Sequence, residues 1–267
     1  AFMQKLGLSA AEMSEVFASW NEGELGSYLI DITAQILRRT DPETGAPLVD
    51  MILDTAEQKG TGKWTSQVAL DLGVPAPTIA EAVFARTLSA IKTERVAAAQ
   101  VLHGPEASPW PERDAVLAQL RGALMAAKVC AYAQGFALLR AADREHQWQL
   151  PMAQVAQVWR AGCIIRAHLL EDIRRSYQHQ ADLPNLLVDP HFARVMADSQ
   201  QDLREVVAKA ALHGVPMPAF MSALGYYDAY RSARLPANLL QAQRDYFGAH
   251  TYQRTDRAGK FHTRWGA

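Results

Sequence analysis

The amino-acid sequence repeats itself at a spacing of 139 residues (Met13 to Met152), and this repeat limits the possible folds more than any other feature. Three pairs of blocks match at that spacing or within two residues of it: Met13–Leu25 with Met152–Ile164, Leu48–Asp50 with Leu187–Asp189, and Gly73–Pro77 with Gly214–Pro218. A register kept so closely predicts one structural unit that is duplicated and packed on itself. We expect the two halves at about 9–110 and 150–248.

Apolar residues recur with helical spacing along most of the chain, and no long stretch alternates with a period of two. The pattern predicts a short helix after residue 65 and longer helices at about 9–20, 24–39, 77–91, 113–144, 152–161, 163–178, 191–213, 218–231 and 237–247. The predicted fold class is therefore all-α. An internally duplicated multi-helix domain should occupy residues 1–248, and an extended C-terminal tail residues 249–267.

Composition excludes several classes of protein. The formal net charge of −1 does not favour nucleic acid or an anionic membrane as a partner. The two cysteines, Cys130 and Cys163, are far apart and are predicted to be reduced core residues, and the eight histidines lack metal-ligand spacing. Because there is no signal peptide and no apolar run of membrane-spanning length, we expect a soluble, cytoplasmic protein. Because the histidines lack metal-ligand spacing, we expect no metal site.

One loop has the composition of an anion-binding site. It reads Lys59-Gly60-Thr61-Gly62-Lys63-Trp64 and precedes a short apolar run, so it should lead into the N-terminus of a helix. Glycines allow close approach of the backbone, and lysines, a hydroxyl and backbone N–H groups attract an anion. The spacing matches neither a P-loop nor G-x-G-x-x-G. A turn with solvated lysines is the alternative that the spacing leaves open.

Arg86 is a second candidate. It shares a helix face with Ile79, Val83 and Ala90, and the helix is so apolar that we expect it in the middle of a core. A buried guanidinium needs an anionic partner. That partner is either a carboxylate of the protein or the phosphate or carboxylate of a ligand, which suits the planar fork of arginine.

The segment from Ala249 to the C-terminus is a third candidate, since it has no helical or strand period. It carries three large aromatic residues among basic ones: Tyr252, Phe261 and Trp265 among Arg254, Arg257, Lys260 and Arg264. Such a tail is disordered, or binds single-stranded nucleic acid, or docks on another surface such as a second copy of the protein.

Several blocks of the sequence resemble 6-phosphogluconate dehydrogenases. The glycine loop does so, set behind Ile52-Leu53-Asp54, although Glu57 stands where that family usually has a small residue. The other blocks are Trp20-Asn21-x-Gly23, Ser27–Ile30, Arg160–Arg166, Leu235–Leu239 and Gln241–His250. Together they cover nearly the whole chain and are similar to the helical C-terminal domain of that family.

The resemblance implies a duplicated all-α domain that forms the main dimer contact, with a tail that threads into the partner subunit. Lys59 and Thr61 would contact the substrate, 6-phosphogluconate, and Arg86 would bind its phosphate. Arg244 and His250 would reach the site of the other subunit. The implied reaction is oxidative decarboxylation of 6-phosphogluconate to ribulose 5-phosphate with NADP in the pentose phosphate pathway.

No stretch matches the family's N-terminal dinucleotide-binding domain or its catalytic lysine and glutamate. We therefore expect the chain to be a C-terminal fragment that dimerises, carries no catalytic residue, binds no NADP and is inactive alone. The alternative is a non-catalytic helical module that dimerises or holds a phosphorylated ligand.

Overall fold

The computed structural model describes residues 1–56, 60–106 and 112–266. Over these residues the backbone forms α-helices, one turn of 3₁₀-helix and isolated β-bridges, with no β-strand. The helices are α1 (Phe2–Lys5), α2 (Ala10–Asn21), α3 (Tyr28–Arg38), α4 (Leu48–Met51), α5 (Thr61–Asp71), α6 (Pro77–Ala90), α7 (Lys92–Ala98), α8 (Arg113–His146), α9 (Met152–Val158), α10 (Leu169–His179), α11 (Pro190–Leu212), α12 (Pro218–Tyr230) and α13 (Ala237–Gly248), and the 3₁₀ turn is Leu186–Val188. The predicted all-α class is confirmed.

Local sequence signals explain where several helices begin and end. Ser9 and Glu12 form a capping box before α2, in which the Glu12 amide donates to Ser9 Oγ and the Ser9 amide donates to Glu12 Oε2. Pro77 occupies the first turn of α6, where its missing N–H costs nothing. Gly73 and Gly214, after α5 and α11, both have φ of +64°, a conformation that glycine adopts without strain.

The core of residues 1–226 is built on the long helix α8, which packs along α11 and against α6. α8 is long and apolar enough to span a membrane by length and composition, and more than half of its most apolar window is buried. Phe136 of α8 and Phe192 of α11 are completely buried. The helix therefore has the burial of a central core helix.

Corresponding elements occur in the same order in the two halves of the repeat. Helices α2, α3, α4, α5 and α6 have their counterparts in α9, α10, the 3₁₀ turn, α11 and α12. The loops before α3 and α10 pair antiparallel, since the Tyr28 amide donates to the Arg166 carbonyl (3.1 Å) and the His168 amide to the Gly26 carbonyl (2.9 Å). Two copies related by a two-fold rotation would produce this pairing.

The chain divides into two compact units, Ala1–Tyr226 and Tyr227–Ala267. The sequence pattern instead predicts a division after residue 248. The boundary differs because α13 contacts the segment that follows it, so that the helix and this segment belong to one unit. Within that segment Tyr252 and Phe261 exchange two backbone hydrogen bonds of 2.8 Å, and their rings lie 6.4 Å apart.

The expectation that α6 lies in the middle of a core is wrong for the single chain. Thr78 is its only fully buried residue, and Arg86 is exposed. Phe84 and Leu88 are 65% and 58% exposed. The chain covers one side of α6 with α5 and α8 and leaves its other apolar side open, and sequence periodicity does not reveal which molecule covers an apolar face.

The two cysteines differ in environment, which corrects the expectation that both lie in the core. Cys130 is completely buried, and burial raises the pKa of its thiol to about 12, whereas Cys163 is partly exposed. We expect iodoacetamide at about pH 8 to modify Cys163 and to spare Cys130, because the thiolate is the nucleophile. Mass spectrometry of the native and the denatured protein measures this, and equal labelling of both thiols in the native protein would contradict it.

Candidate anion-binding site

The glycine loop ends in the N-terminus of α5. Gly60 is the N-cap residue with φ of +117°, a left-handed conformation that favours glycine. Because glycine has no side chain, the N-cap residue itself does not bond the amides of the first turn. Thr61 and Lys63 in that turn are exposed. A helix N-terminus of this kind attracts anions through its free N–H groups and its dipole.

The second glycine of the loop brings α5 against α6. A Cβ atom on Gly62 would lie 2.9 Å from Val83 Cγ2, closer than real Cβ contacts. Val83 stands three residues before Arg86, which is about 4.5 Å along a helix. The C-terminal end of the glycine loop therefore contacts α6 about one helical turn away from Arg86.

The segment before the loop is anchored on the other side of Arg86. The Ala56 amide donates to Ser89 Oγ (2.9 Å), and that hydroxyl donates to the Arg86 carbonyl (2.7 Å). Ser89 stands three residues after Arg86. The entry and the exit of the loop are thus attached to α6 at positions that bracket Arg86. Lys59, the remaining candidate of the loop, lies outside the described residues.

Asp54 fixes the same segment electrostatically. Its carboxylate pairs with Lys92 (2.5 Å) and Arg95 (3.1 Å), and Arg95 also donates to the carbonyl of Ser89. Hydrogen bonds from Lys92 and Arg95 hold the pKa of the Asp54 carboxyl below its usual range. The acid is ionised and paired, so its charge is offset within the protein.

A buried pair of polar side chains fixes α6 on the core. The Thr78 amide donates to Gln134 Oε1 (2.9 Å), and Gln134 Nε2 donates to Thr78 Oγ1 (2.8 Å). Gln134 is completely buried on α8. Ala69, Ala76 and Leu138 form a small apolar cluster beneath the same helices. The position of Arg86 is therefore set by the packing of α6 on α8 rather than by the glycine loop.

Two further candidates lie in the unit 227–267. Arg244 on α13 is exposed and donates a long hydrogen bond (3.4 Å) to Gln241. His250 is exposed and follows the end of α13, with its ring edge-on to Phe247 at 6.0 Å. The structure thus places Thr61 and Arg86 in the larger unit and Arg244 and His250 in the smaller one.

Sequence reasoning missed Asp54 and Asp245 as supporting residues. Asp54 lies just ahead of the basic loop, but its partners Lys92 and Arg95 are distant in sequence, so no local signal reveals the pairing. Asp245 carries no motif that would have revealed its burial. Within residues 1–56, 60–106 and 112–266 there is no cluster of three His, Cys, Asp or Glu side chains that could hold a metal ion.

A separate cavity of about 490 Å³ lies within residues 1–226 and contains none of the predicted site residues. Its two arginines have partners within the protein. Arg160 pairs with Glu171 at 2.6 Å, and the guanidinium of Arg166 lies 3.8 Å from the centre of the Tyr28 ring.

Comparison with known proteins identifies the family. Residues 1–265 match the family model described as 6-phosphogluconate dehydrogenase, C-terminal domain. The NADP(+)-dependent, decarboxylating 6-phosphogluconate dehydrogenase of Bacillus subtilis is 57% identical over 98% of this chain and 56% of its own length. A decarboxylating 6-phosphogluconate dehydrogenase of Lactococcus lactis is 54% identical over 97% of this chain and 55% of its own length.

A solved structure shares the fold. It is the Plasmodium falciparum 6-phosphogluconate dehydrogenase, studied in its apo form, with its cofactor NADP+ and with its substrate 6-phosphogluconate. It is 42% identical, with a TM-score of 0.94, and the match covers 97% of this chain and 56% of that one. The chain spans about half the length of these relatives, and it belongs to the 6-phosphogluconate dehydrogenase family, whose C-terminal domain it contains.

Proposed function

We propose that the chain is the substrate-binding and dimerisation domain of a cytoplasmic, NADP-dependent 6-phosphogluconate dehydrogenase. The whole enzyme would oxidatively decarboxylate 6-phosphogluconate to ribulose 5-phosphate. The observation that supports this most is the bracketing of Arg86 by the two attachments of the glycine loop, at Val83 and Ser89. The alternative, a non-catalytic helical module, is not favoured, because the family match extends over residues 1–265.

In this proposal Arg86 binds the phosphate, since a guanidinium can donate two parallel hydrogen bonds to phosphate oxygens. Thr61 and Lys59 would contact the substrate from the loop, and the N-terminus of α5 would add a favourable dipole. Arg244 and His250 would come from the partner subunit. Cations and donors from several elements suit a ligand that carries both a phosphate and a carboxylate.

The residues present do not form a site for NADP. Dinucleotides usually bind at a glycine-rich turn between a strand and a helix of a parallel sheet, and residues 1–56, 60–106 and 112–266 form no such sheet. The chain therefore supplies substrate-binding groups and no group for hydride transfer. We expect no NADPH production by the purified chain.

Calorimetric titration tests the proposed function. The chain should bind 6-phosphogluconate and should bind gluconate at least about a hundredfold more weakly, because gluconate lacks the phosphate that forms charge-assisted hydrogen bonds. Inorganic sulfate should compete. Equal affinity for the two sugar acids, or no binding of either, would contradict the assignment.

We also propose that the chain dimerises, because apolar side chains are exposed in both units. Phe84 and Leu88 are exposed on α6, and Leu239, Leu240 and Phe247 are 61%, 61% and 74% exposed on α13. Exposed apolar patches of this kind mark protein interfaces. In the proposed dimer the C-terminal segment of each subunit crosses to the other.

Deletion of residues 249–267 should therefore weaken the dimer. We expect the dissociation constant to rise by at least about tenfold, which corresponds to a loss of roughly 1.4 kcal/mol. Sedimentation velocity over a range of concentrations measures it, with a chain lacking only residues 266–267 as control. Unchanged sedimentation of the longer deletion would count against a crossing tail.

A further inference from the structure

One buried carboxylate organises the unit 227–267. Asp245 on α13 is completely buried. Its Oδ1 accepts from the Thr251 amide (2.9 Å) and lies 2.9 Å from His262 Nδ1. Its Oδ2 accepts from the Thr263 amide (3.0 Å) and from Trp265 Nε1 (2.8 Å). Every partner lies in the segment after the helix, so a single side chain holds both the beginning and the end of that segment.

The carboxylate is ionised in this environment. Burial by itself would raise the pKa of Asp245, but hydrogen bonds from Thr263, His262, Trp265 and Thr251 outweigh burial and hold the pKa well below its usual range. A buried charge is tolerated only when such partners satisfy it. An uncharged residue of the same shape would satisfy fewer of them, because an amide has only one oxygen.

The residues on either side of His250 are held in unfavourable backbone conformations. Ala249 and Thr251 have φ of +49° and +61°, which residues other than glycine adopt only at a cost. The Thr251 amide is one of the groups bound by Asp245. The surrounding contacts must therefore impose this backbone. Asp245 supplies one of them (2.9 Å), and Gln241 Nε2 supplies another by donating to the Thr251 carbonyl (2.6 Å).

The imidazole of His250 is packed against the helix end. A Cβ atom on Gly248 would lie 2.7 Å from His250 Nε2, so a side chain at this position would displace the imidazole. Phe247 meets the same ring edge-on. The imidazole is thereby given one orientation while it stays exposed.

We propose that Asp245 is a positioning residue: it fixes the backbone at Thr251 and so presents His250 in one orientation for the anionic substrate. This rests on the proposed function, in which His250 contacts that substrate. Asp245 itself is buried and acts through His250. The C-terminal segment is thereby a preformed element rather than one that becomes ordered only when ligand binds.

The experiment uses the whole chain with the substitution Asp245→Asn and the matched control Asp256→Asn. Asp256 lies in the same segment but is exposed and pairs with Arg254 at 2.7 Å. Trp265→Phe is a milder variant, because it removes only one donor to Asp245 and keeps an aromatic ring. Hydrogen exchange of the segment and calorimetric affinity for 6-phosphogluconate are measured for each.

We expect Asp245→Asn to lose exchange protection at the Thr251 and Thr263 amides and to bind 6-phosphogluconate roughly ten- to hundredfold more weakly, as displaced binding groups usually do. Trp265→Phe should lie in between, and Asp256→Asn should match the unsubstituted chain. In a His250→Ala background, Asp245→Asn should cause no additional loss of affinity, because its effect passes through His250. A purely stabilising role would leave affinity unchanged.

Three outcomes would overturn the inference: retained protection in Asp245→Asn, retained affinity despite lost protection, or additive losses in the double variant. If the unsubstituted chain does not bind 6-phosphogluconate, the proposed function fails instead. The exchange comparison then decides by itself whether Asp245 fixes the backbone beside His250.

Discussion

The variant Arg86→Met should lose at least about thirtyfold in affinity for 6-phosphogluconate, because removal of one partner of a close charge pair typically costs about 2–5 kcal/mol in binding. Methionine keeps the length and the apolar stem of the side chain and removes the guanidinium. Since Arg86 is exposed, the free energy of unfolding should change by about 1 kcal/mol or less. The affinity for 6-phosphogluconate should thus fall strongly, while the free energy of unfolding changes little.

Calorimetry with 6-phosphogluconate and urea unfolding of the same preparations measure both effects. Arg175→Met is the matched control, because Arg175 is an exposed arginine of α10 that pairs with Glu171 and has no place in the proposed site. A loss of several kcal/mol of stability in Arg86→Met would favour the alternative in which a carboxylate of the protein is its partner. Unchanged affinity would remove Arg86 from the site.

The variant Gln134→Leu should show the largest loss of stability among the substitutions considered. Leucine has a similar volume but leaves the Thr78 amide and hydroxyl without their partner in the core. Each buried polar group left unsatisfied costs about 1–3 kcal/mol, so we expect a loss of roughly 2–4 kcal/mol. The affinity for 6-phosphogluconate should also fall, because α6 carries Arg86 and is fixed to α8 at this point.

Urea unfolding monitored by circular dichroism measures the loss, with Gln119→Leu as control. Gln119 lies on the same helix but is only partly buried, and it accepts one hydrogen bond from Lys209 (3.0 Å). Its substitution should cost about 1 kcal/mol or less. Equal effects of the two substitutions would show that the Thr78–Gln134 pair does not hold α6.

The helices were largely predictable because their signals are local. The capping box at Ser9, the prolines that open α6 and α12, and the glycines after α5 and α11 all depend on a few neighbouring residues. Helical periodicity located α8 and α11 for the same reason. The constant spacing of the matching sequence blocks predicts the repeat, and the helical elements occur in the same order in its two halves.

The surroundings of the candidate site were less predictable, because they depend on contacts between distant residues. Periodicity showed that α6 is apolar, but it could not show that the chain leaves Phe84 and Leu88 uncovered. The burial of Asp245 arises from groups 6 to 20 residues away in sequence, in a segment without a period. Thr61 and Arg86 could be named from the loop composition and the helix face, whereas the attachments of the loop segment to Val83 and Ser89 join residues distant in sequence.

The central claim is that Arg86 of one subunit and His250 of the other serve the same ligand. Co-expression of an Arg86→Met chain with a His250→Ala chain, each with its own tag, yields a mixed dimer that tests it. In that dimer one site combines both defects and the other contains both native residues. We predict that each parent binds 6-phosphogluconate weakly and that the mixed dimer binds about one equivalent per dimer with native affinity. A mixed dimer that binds as weakly as its parents would contradict the account.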